Sequence, residues 1–130
     1  MSAKSDYLEK KVLDHFLGTS STSAPSNVYL SLHTANPTDD ASGTELSGNG
    51  YSRQVITFNA AHATNGNTTN SSVEEFTASG GNFGTVTHFG IWDASSSGNM
   101  LYYGALTASK VIADGDTLRF AADSITITEA

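Results

Sequence analysis

A chain of 130 residues with no cysteine, thirteen acidic against six basic side chains and a formal net charge of −7 has the size of one domain with a single core, and it has no disulfide frame, thiolate metal site or thiol nucleophile to draw on. Lys4, Lys10 and Lys11 stand among Asp6, Glu9 and Asp14, which leaves only Arg53, Lys110 and Arg119 as cations of the body. Such a body lacks the basic footprint that displaces counterions from nucleic acid or docks on anionic lipid, and no apolar run approaches a bilayer span, so neither a nucleic-acid nor a membrane partner is expected.

Ser, Thr and Asn make up 43 of the 130 residues, beside twelve Gly and two Pro, the usage of strands and polar turns. The first eighteen residues are the exception. Leu8, Val12, Leu13 and Phe16 recur at helical spacing, Asp6 and Glu9 have the spacing of a capping box, and Gly18 stands at the stop, which predicts an amphipathic helix of about three turns. Residues 1–18 are therefore read as a helical arm and 19–130 as one β domain. A helix this short is marginal alone, so its stripe must dock on its own domain or on a neighbouring subunit.

A polar linker over 19–26 leads to 27–33, where Val28, Leu30 and Leu32 alternate with Tyr29, Ser31 and His33 in the period of a half-buried strand. Residues 34–50 form the longest predicted loop, punctuated by Asn36-Pro37, Asp39-Asp40, Ser42-Gly43 and Gly48-Asn49-Gly50. Long loops commonly carry contacts, and Asn36, Asp39, Asp40 and Glu45 are its candidate exposed contact residues. A strand is expected over 51–58, then a polar stretch at 65–72 and strands at 73–78 and 85–94. A turn at 95–99 makes a hairpin with a return strand at 100–106, and a short strand near 110–113 ends at Asp114-Gly115. Segments 117–122 and 124–128 point Leu118, Phe120, Ile125 and Ile127 inward. Seven or eight short strands with regular turns predict an all-β fold, an antiparallel, jelly-roll-like β-sandwich behind a short N-terminal α-helix.

Motifs of catalysis are missing. Gly-x-Ser-x-Gly does not occur, and the glycine pair at 48 and 50 meets Arg53 where a dinucleotide loop needs a third glycine. His15, His33, His62 and His88 have no metal-ligand spacing, and the run from Asp93 reaches Gly104 where a calcium loop needs a bidentate Glu. Glu74 and Glu75 point to opposite faces of one strand, one in solvent and the other needing a partner such as Arg53 or Lys110. Asp39, Asp40 and Glu45 read as a solvated acidic loop. No catalytic, metal or cofactor residue is assigned, and no enzymatic activity is expected. Tyr29, Tyr51, Trp92, Tyr102 and Tyr103 suit either a sugar-stacking platform or a subunit interface. Tyr102 and Tyr103 face opposite ways, which leaves one of them for a second contact.

The order YLEKKVLDHFLG, APSNVYLSLHTANP, GNGYSRQVITF, FGTVTHFGIWDA and NMLYYGALTASKVIADGDTLRFAADSITIT resembles a family of small tailed-phage virion proteins, commonly labelled tail fibre or minor structural proteins, over essentially the whole chain. The resemblance implies an all-β domain with a short leading helix, no enzymatic activity, and residence in the virion after synthesis in the bacterial host cytoplasm. Similar small β-sandwich proteins serve as trimeric cement or decoration proteins on phage heads. The leading expectation is thus a homotrimer bound to the phage major capsid protein, with Leu8, Val12, Leu13, Phe16 and Tyr103 as candidate assembly residues. The alternative is a tail fibre, baseplate or adaptor component attached to tail proteins through the helix stripe. With no repeat, heptad or β-helical stretch it would be an adaptor or tip, not a shaft. A third reading is a carbohydrate-binding module using the aromatic face and the 34–50 loop.

Overall fold

In the computed structural model, which describes residues 2–18, 20–42 and 44–129, the alternating segments pair as antiparallel strands. Thr19 at the head of the expected linker and Gly43 of the Ser42-Gly43 turn signal lie outside the described residues. The elements in chain order are β1 (Ser2–Lys4), α1 (Asp6–Leu17), β2 (Val28–His33), β3 (Gln54–Ile56), β4 (Asn67–Thr69), β5 (Glu74–Thr77), β6 (Gly84–Trp92), β7 (Met100–Ile112), β8 (Thr117–Phe120) and β9 (Thr126–Thr128). One layer is a five-stranded sheet in the order β1-β7-β6-β2-β3, and β4-β9 and β5-β8 form two two-stranded ribbons. Leu30, Leu32, Val86, Phe89 and Ile91 of the sheet share one buried core with Phe76, Leu118, Phe120, Ile125 and Ile127 of the ribbons and the turn before β9. This is the all-β, antiparallel sandwich that the strand periods predict, with its second layer split into two ribbons.

Four elements differ from expectation, each for a physical reason. β1 has no apolar period of its own and exists because its backbone pairs with β7, Ser2 opposite Gly104 and Lys4 opposite Tyr102. It is pinned further where Glu129 accepts from Lys4 and from the Tyr102 hydroxyl, the latter at 2.6 Å. β4 lies in the expected polar stretch and is held by pairing with β9. Of 51–58 only Gln54–Ile56 is strand, because the segment 44–46 takes over the same edge of β2: the Leu46 N–H donates to the Leu32 carbonyl at 3.0 Å.

The two strands expected at 100–106 and 110–113 are one strand, β7, broken by a bulge. Val86 pairs with Lys110 and His88 with Ala105, so Thr87 alone faces residues 106–109. A bulge of this kind breaks the period of two, and for that reason Val86 and Phe89, three apart, both face the core.

The outer face of β2 and β6 is also covered. Trp92 reaches across Gly90, donating its indole N–H to Ser31 Oγ at 2.8 Å. A Cβ at Gly90 would stand 2.7 Å from Ser31 Oγ, 3.0 Å from Trp92 Nε1 and 3.2 Å from His33 Nε2. Gly90→Ala is therefore expected to destabilise the fold by roughly 1–3 kcal/mol through overpacking, read as a lower midpoint in urea unfolding with an unchanged slope.

Candidate assembly surface

The helix starts one residue earlier than the Asp6 capping box predicts. Ser5 is the N-cap, in extended conformation, and its Oγ accepts from the Leu8 N–H at 3.2 Å while its hydroxyl donates to the Met100 carbonyl. The reason lies in β1: the Ser5 N–H still donates to the Leu101 carbonyl at 2.9 Å, which holds Ser5 extended and lets helical geometry begin only at Asp6. Gly18 closes the helix in the left-handed conformation, its N–H donating to the Asp14 carbonyl at 3.1 Å. Ser5→Ala removes the cap and a buried hydroxyl, an expected cost of about 1–2 kcal/mol, seen as faster amide exchange through α1.

The stripe divides into two halves. Leu8 and Val12, with Tyr7 and Lys11, are half-buried, whereas Leu13, Phe16 and Leu17 are 56 %, 76 % and 78 % exposed, and no helix residue is fully buried. The helix is held at its N-terminal end by β1, Ser5 and the Asp6 N–H, which donates to the Asp39 carbonyl at 2.9 Å. Docking on its own domain thus accounts for Leu8 and Val12, and the C-terminal turn carries an uncovered apolar patch. Leu17 belongs to that patch although the helical stripe did not include it; its spacing of four from Leu13 is the signal.

The 34–50 loop is braced rather than loose. Asn36 Oδ1 accepts from the Thr38 N–H at 2.9 Å, and Asp40 Oδ1 accepts from Thr38 Oγ1 at 2.7 Å and the Ser42 N–H at 3.0 Å. Hydrogen bonds from Thr38 and Ser42 hold the Asp40 carboxyl below the usual carboxylate range. Asp39 accepts from the Tyr103 hydroxyl, and that bond, with burial, pushes the phenol up to about 12. Tyr103 is half-buried, and its hydroxyl is committed to its own loop.

Asn36, Asp39 and Asp40 are exposed as expected, but Glu45 is not: its side chain is 23 % exposed. Arg53 donates to both of its oxygens at 2.8 Å and Tyr51 donates at 2.6 Å. Burial raises the Glu45 carboxyl, and the bonds from Arg53 and Tyr51 outweigh it, leaving the group below its ordinary value. Arg53 also donates to the Ala94 and Ser97 carbonyls at 2.9 Å and lies 3.8 Å over the Trp92 ring. A bidentate, stacked guanidinium fixes the loop over the outer face of the sheet.

The other candidates resolve locally. Tyr51 stacks on Phe76 in the core and Trp92 lies under Arg53, so the five aromatic residues do not assemble into one stacking platform. Ser31 Oγ and His33 Nε2 are 2.8 Å apart, but both residues are 0 % exposed, a packing contact sealed from solvent. Glu74 is buried with Ser72 as its hydrogen-bond donor, and Arg119 faces the exposed Glu75 at 3.7 Å; neither Arg53 nor Lys110 is the partner of Glu74, because β5 pairs with β8. The run from Asp93 is a turn, its carboxylate accepting from the Asn99 N–H at 2.7 Å. Among the described residues no three His, Asp or Glu side chains gather as a metal site, and no helix is long and apolar enough to cross a membrane.

The polar clusters of this antiparallel β domain brace its own loops, and Leu13, Phe16 and Leu17 form an exposed apolar patch on its helix, with Val55, Val73 and Val111 also exposed on the β domain. The chain belongs to the Gp80 family, described as Podophage GP4 fiber I protein gp80, whose family model matches residues 3–128. It is accordingly a phage virion structural protein of the fibre type, and that description sits closer to the tail-fibre alternative than to head cement. No curated protein matches the chain.

Proposed function

We propose that this fibre-family chain is a tail component of the virion, an adaptor or tip domain that acts as a homo-oligomer, three copies by expectation, and uses the C-terminal turn of α1 as its assembly contact. Its role is mechanical, without catalysis. One observation carries this reading: Leu13, Phe16 and Leu17 remain largely exposed on a helix whose other end is anchored by β1, Ser5 and Asp39. Three adjacent large apolar side chains in water mark a surface intended for a partner. The family description, which names a fibre, supports the tail over the head.

Quantitative mass spectrometry of purified parent-phage particles tests the location. A few copies per particle are expected. A ratio near that of the major capsid protein would place the chain on the head as a decoration protein and overturn the tail reading, and absence from the particle would remove the virion role altogether. Deleting residues 1–18 is a poor test of the arm, because it also strips β1 from the edge of β7. Leu13→Ser, Phe16→Ser and Leu17→Ser together are expected to spare the fold. Circular dichroism and cooperative unfolding are expected to be kept, since all three side chains are exposed, while incorporation into particles is lost.

A further inference from the structure

Two features of the chain fit each other without meeting inside it. The first is the apolar turn of α1. The second is a groove of about 690 Å³ between the bulged part of β7 and the β8–β9 side of the sandwich, with Phe89, Leu106, Leu118, Phe120 and Ile125 among its walls. The groove coincides with the register break: residues 106–109 of β7 stand opposite Thr87 alone, and Leu106, Thr107 and Ala108 of that stretch line it. Leu118, Phe120 and Ile125 form the apolar wall that faces them.

Charge separates this groove from the rest of the surface. In a protein of net charge −7 whose body has only three cations, Lys110 and Arg119 both line the groove, and no Asp or Glu does. Arg119 makes an exposed, 3.7 Å contact with Glu75, and Arg53, the remaining cation of the body, is held by Glu45. The helix end offers a dipolar complement: its C-terminal carbonyls carry the negative end of the helix dipole, and Asp14 stands in that last turn beside His15, with Lys10 and Lys11 one turn back.

The chain cannot make this contact as it is folded. The helix leaves β7 at Met100 and Leu101, whereas the groove is walled by residues 105–110 of the same strand, so its start lies roughly 15–30 Å away along an extended strand. Leu13, Phe16 and Leu17 stay exposed in their own subunit.

We infer that the C-terminal turn of α1 of one copy docks in the β7–β8–β9 groove of a second copy, Leu13, Phe16 and Leu17 entering the trough and Lys110 and Arg119 facing the dipole-negative C-terminal end of the helix. The inference rests on the proposed self-association and names the surface that receives the helix. Each copy gives one helix and offers one groove, a heterologous contact that closes into a ring or continues from copy to copy. A helix laid in an apolar groove is a recurrent mode of recognition.

The test uses the full chain and two surface variants, one with Leu13→Ser, Phe16→Ser and Leu17→Ser, the other with Lys110→Glu and Arg119→Glu. Light scattering coupled to size exclusion is expected to give an oligomer for the parent and a mass at least two times lower, that of the monomer, for each variant. An equimolar mixture of the two variants is expected to regain dimer, since the groove variant keeps an intact helix and the helix variant an intact groove. A mixture that stays monomeric, or a groove variant that still assembles, overturns the inference while leaving self-association through α1 in place. A parent that is monomeric at every concentration overturns both, and particle copy number then judges the tail reading separately. Circular dichroism of each variant, expected to match the parent, and a cooperative melt, lower only by the stability that association lends the parent, show that a lower mass is lost docking and not lost folding.

Discussion

Arg53→Ala is expected to lower the unfolding free energy by about 3–5 kcal/mol at neutral pH, the cost of breaking a buried ion pair by removing one partner. The side chain of Arg53 is only 6 % exposed. Its loss leaves the Glu45 carboxylate with Tyr51 as its remaining side-chain donor, frees the Ala94 and Ser97 carbonyls, and uncovers the face of Trp92. Arg53→Lys keeps the charge but not the two-pronged geometry or the stack, so an intermediate loss is expected. Combining Arg53→Ala with Glu45→Gln should recover part of the loss, because no uncompensated carboxylate is then buried, and the double-mutant cycle measures the coupling.

The pH dependence has a definite sign. In the parent, Glu45 titrates below its ordinary value of 4.5 in spite of burial. Its contribution is thus fully present above that value and is lost as pH falls through the lowered one. In Arg53→Ala burial acts with little opposition and the folded value rises. Stability attributable to Glu45 then increases as pH falls toward 4.5, the reverse of the parent. Urea titrations at pH 7 and near pH 4.5 distinguish the two: the gap between parent and variant should narrow at the lower pH, and a constant gap would show that Glu45 stays paired without Arg53.

Periodicity made the main framework legible. Alternating apolar residues identify β2, β5, β6, β8 and β9 to within a few residues, and the 3.6-residue stripe identifies α1, because in each case burial of one face is what selects the structure. Elements formed by pairing rather than by burial are invisible to that logic. Ser2–Lys4 and Asn67–Thr69 have no apolar face to announce them, and only partners far along the chain make them strands. The Ser5 cap is of the same kind: Asp6 is an equally good capping residue, and the ladder to Leu101 decides between them. The assembly surface was legible in part. Spacing picks out Leu8, Val12, Leu13 and Phe16 but holds no information on where along the stripe docking stops, and composition marks an acidic loop without showing that Arg53, eight residues on, will fold back onto Glu45.

Asn70 is the clearest case of a residue hidden in a polar stretch, and Asn70→Ala is expected to cost about 3 kcal/mol or more, several buried hydrogen bonds being lost together. The side chain is 0 % exposed. Its Nδ2 donates to the Ser72 carbonyl at 2.7 Å and the Ala121 carbonyl at 2.9 Å, and its Oδ1 accepts from the Ile125 N–H at 2.8 Å. The Asn70 backbone binds the same turn, its N–H donating to the Ile125 carbonyl at 3.2 Å and its carbonyl accepting from the Asp123 N–H at 2.8 Å. One amide thus sets the geometry of 121–125, the link that carries the chain from β8 in one ribbon to β9 in the other, and it places Ile125 in the core. Asn70→Asp isolates the donor. It keeps an acceptor for Ile125 but turns a carboxylate oxygen toward two carbonyls, which favours the protonated acid and raises its folded pKa. Its deficit should therefore be smallest at acid pH and grow as pH rises through the carboxylate range, whereas that of Asn70→Ala should not depend on pH. Equal pH profiles for the two variants would show that the amide donor does not hold the turn.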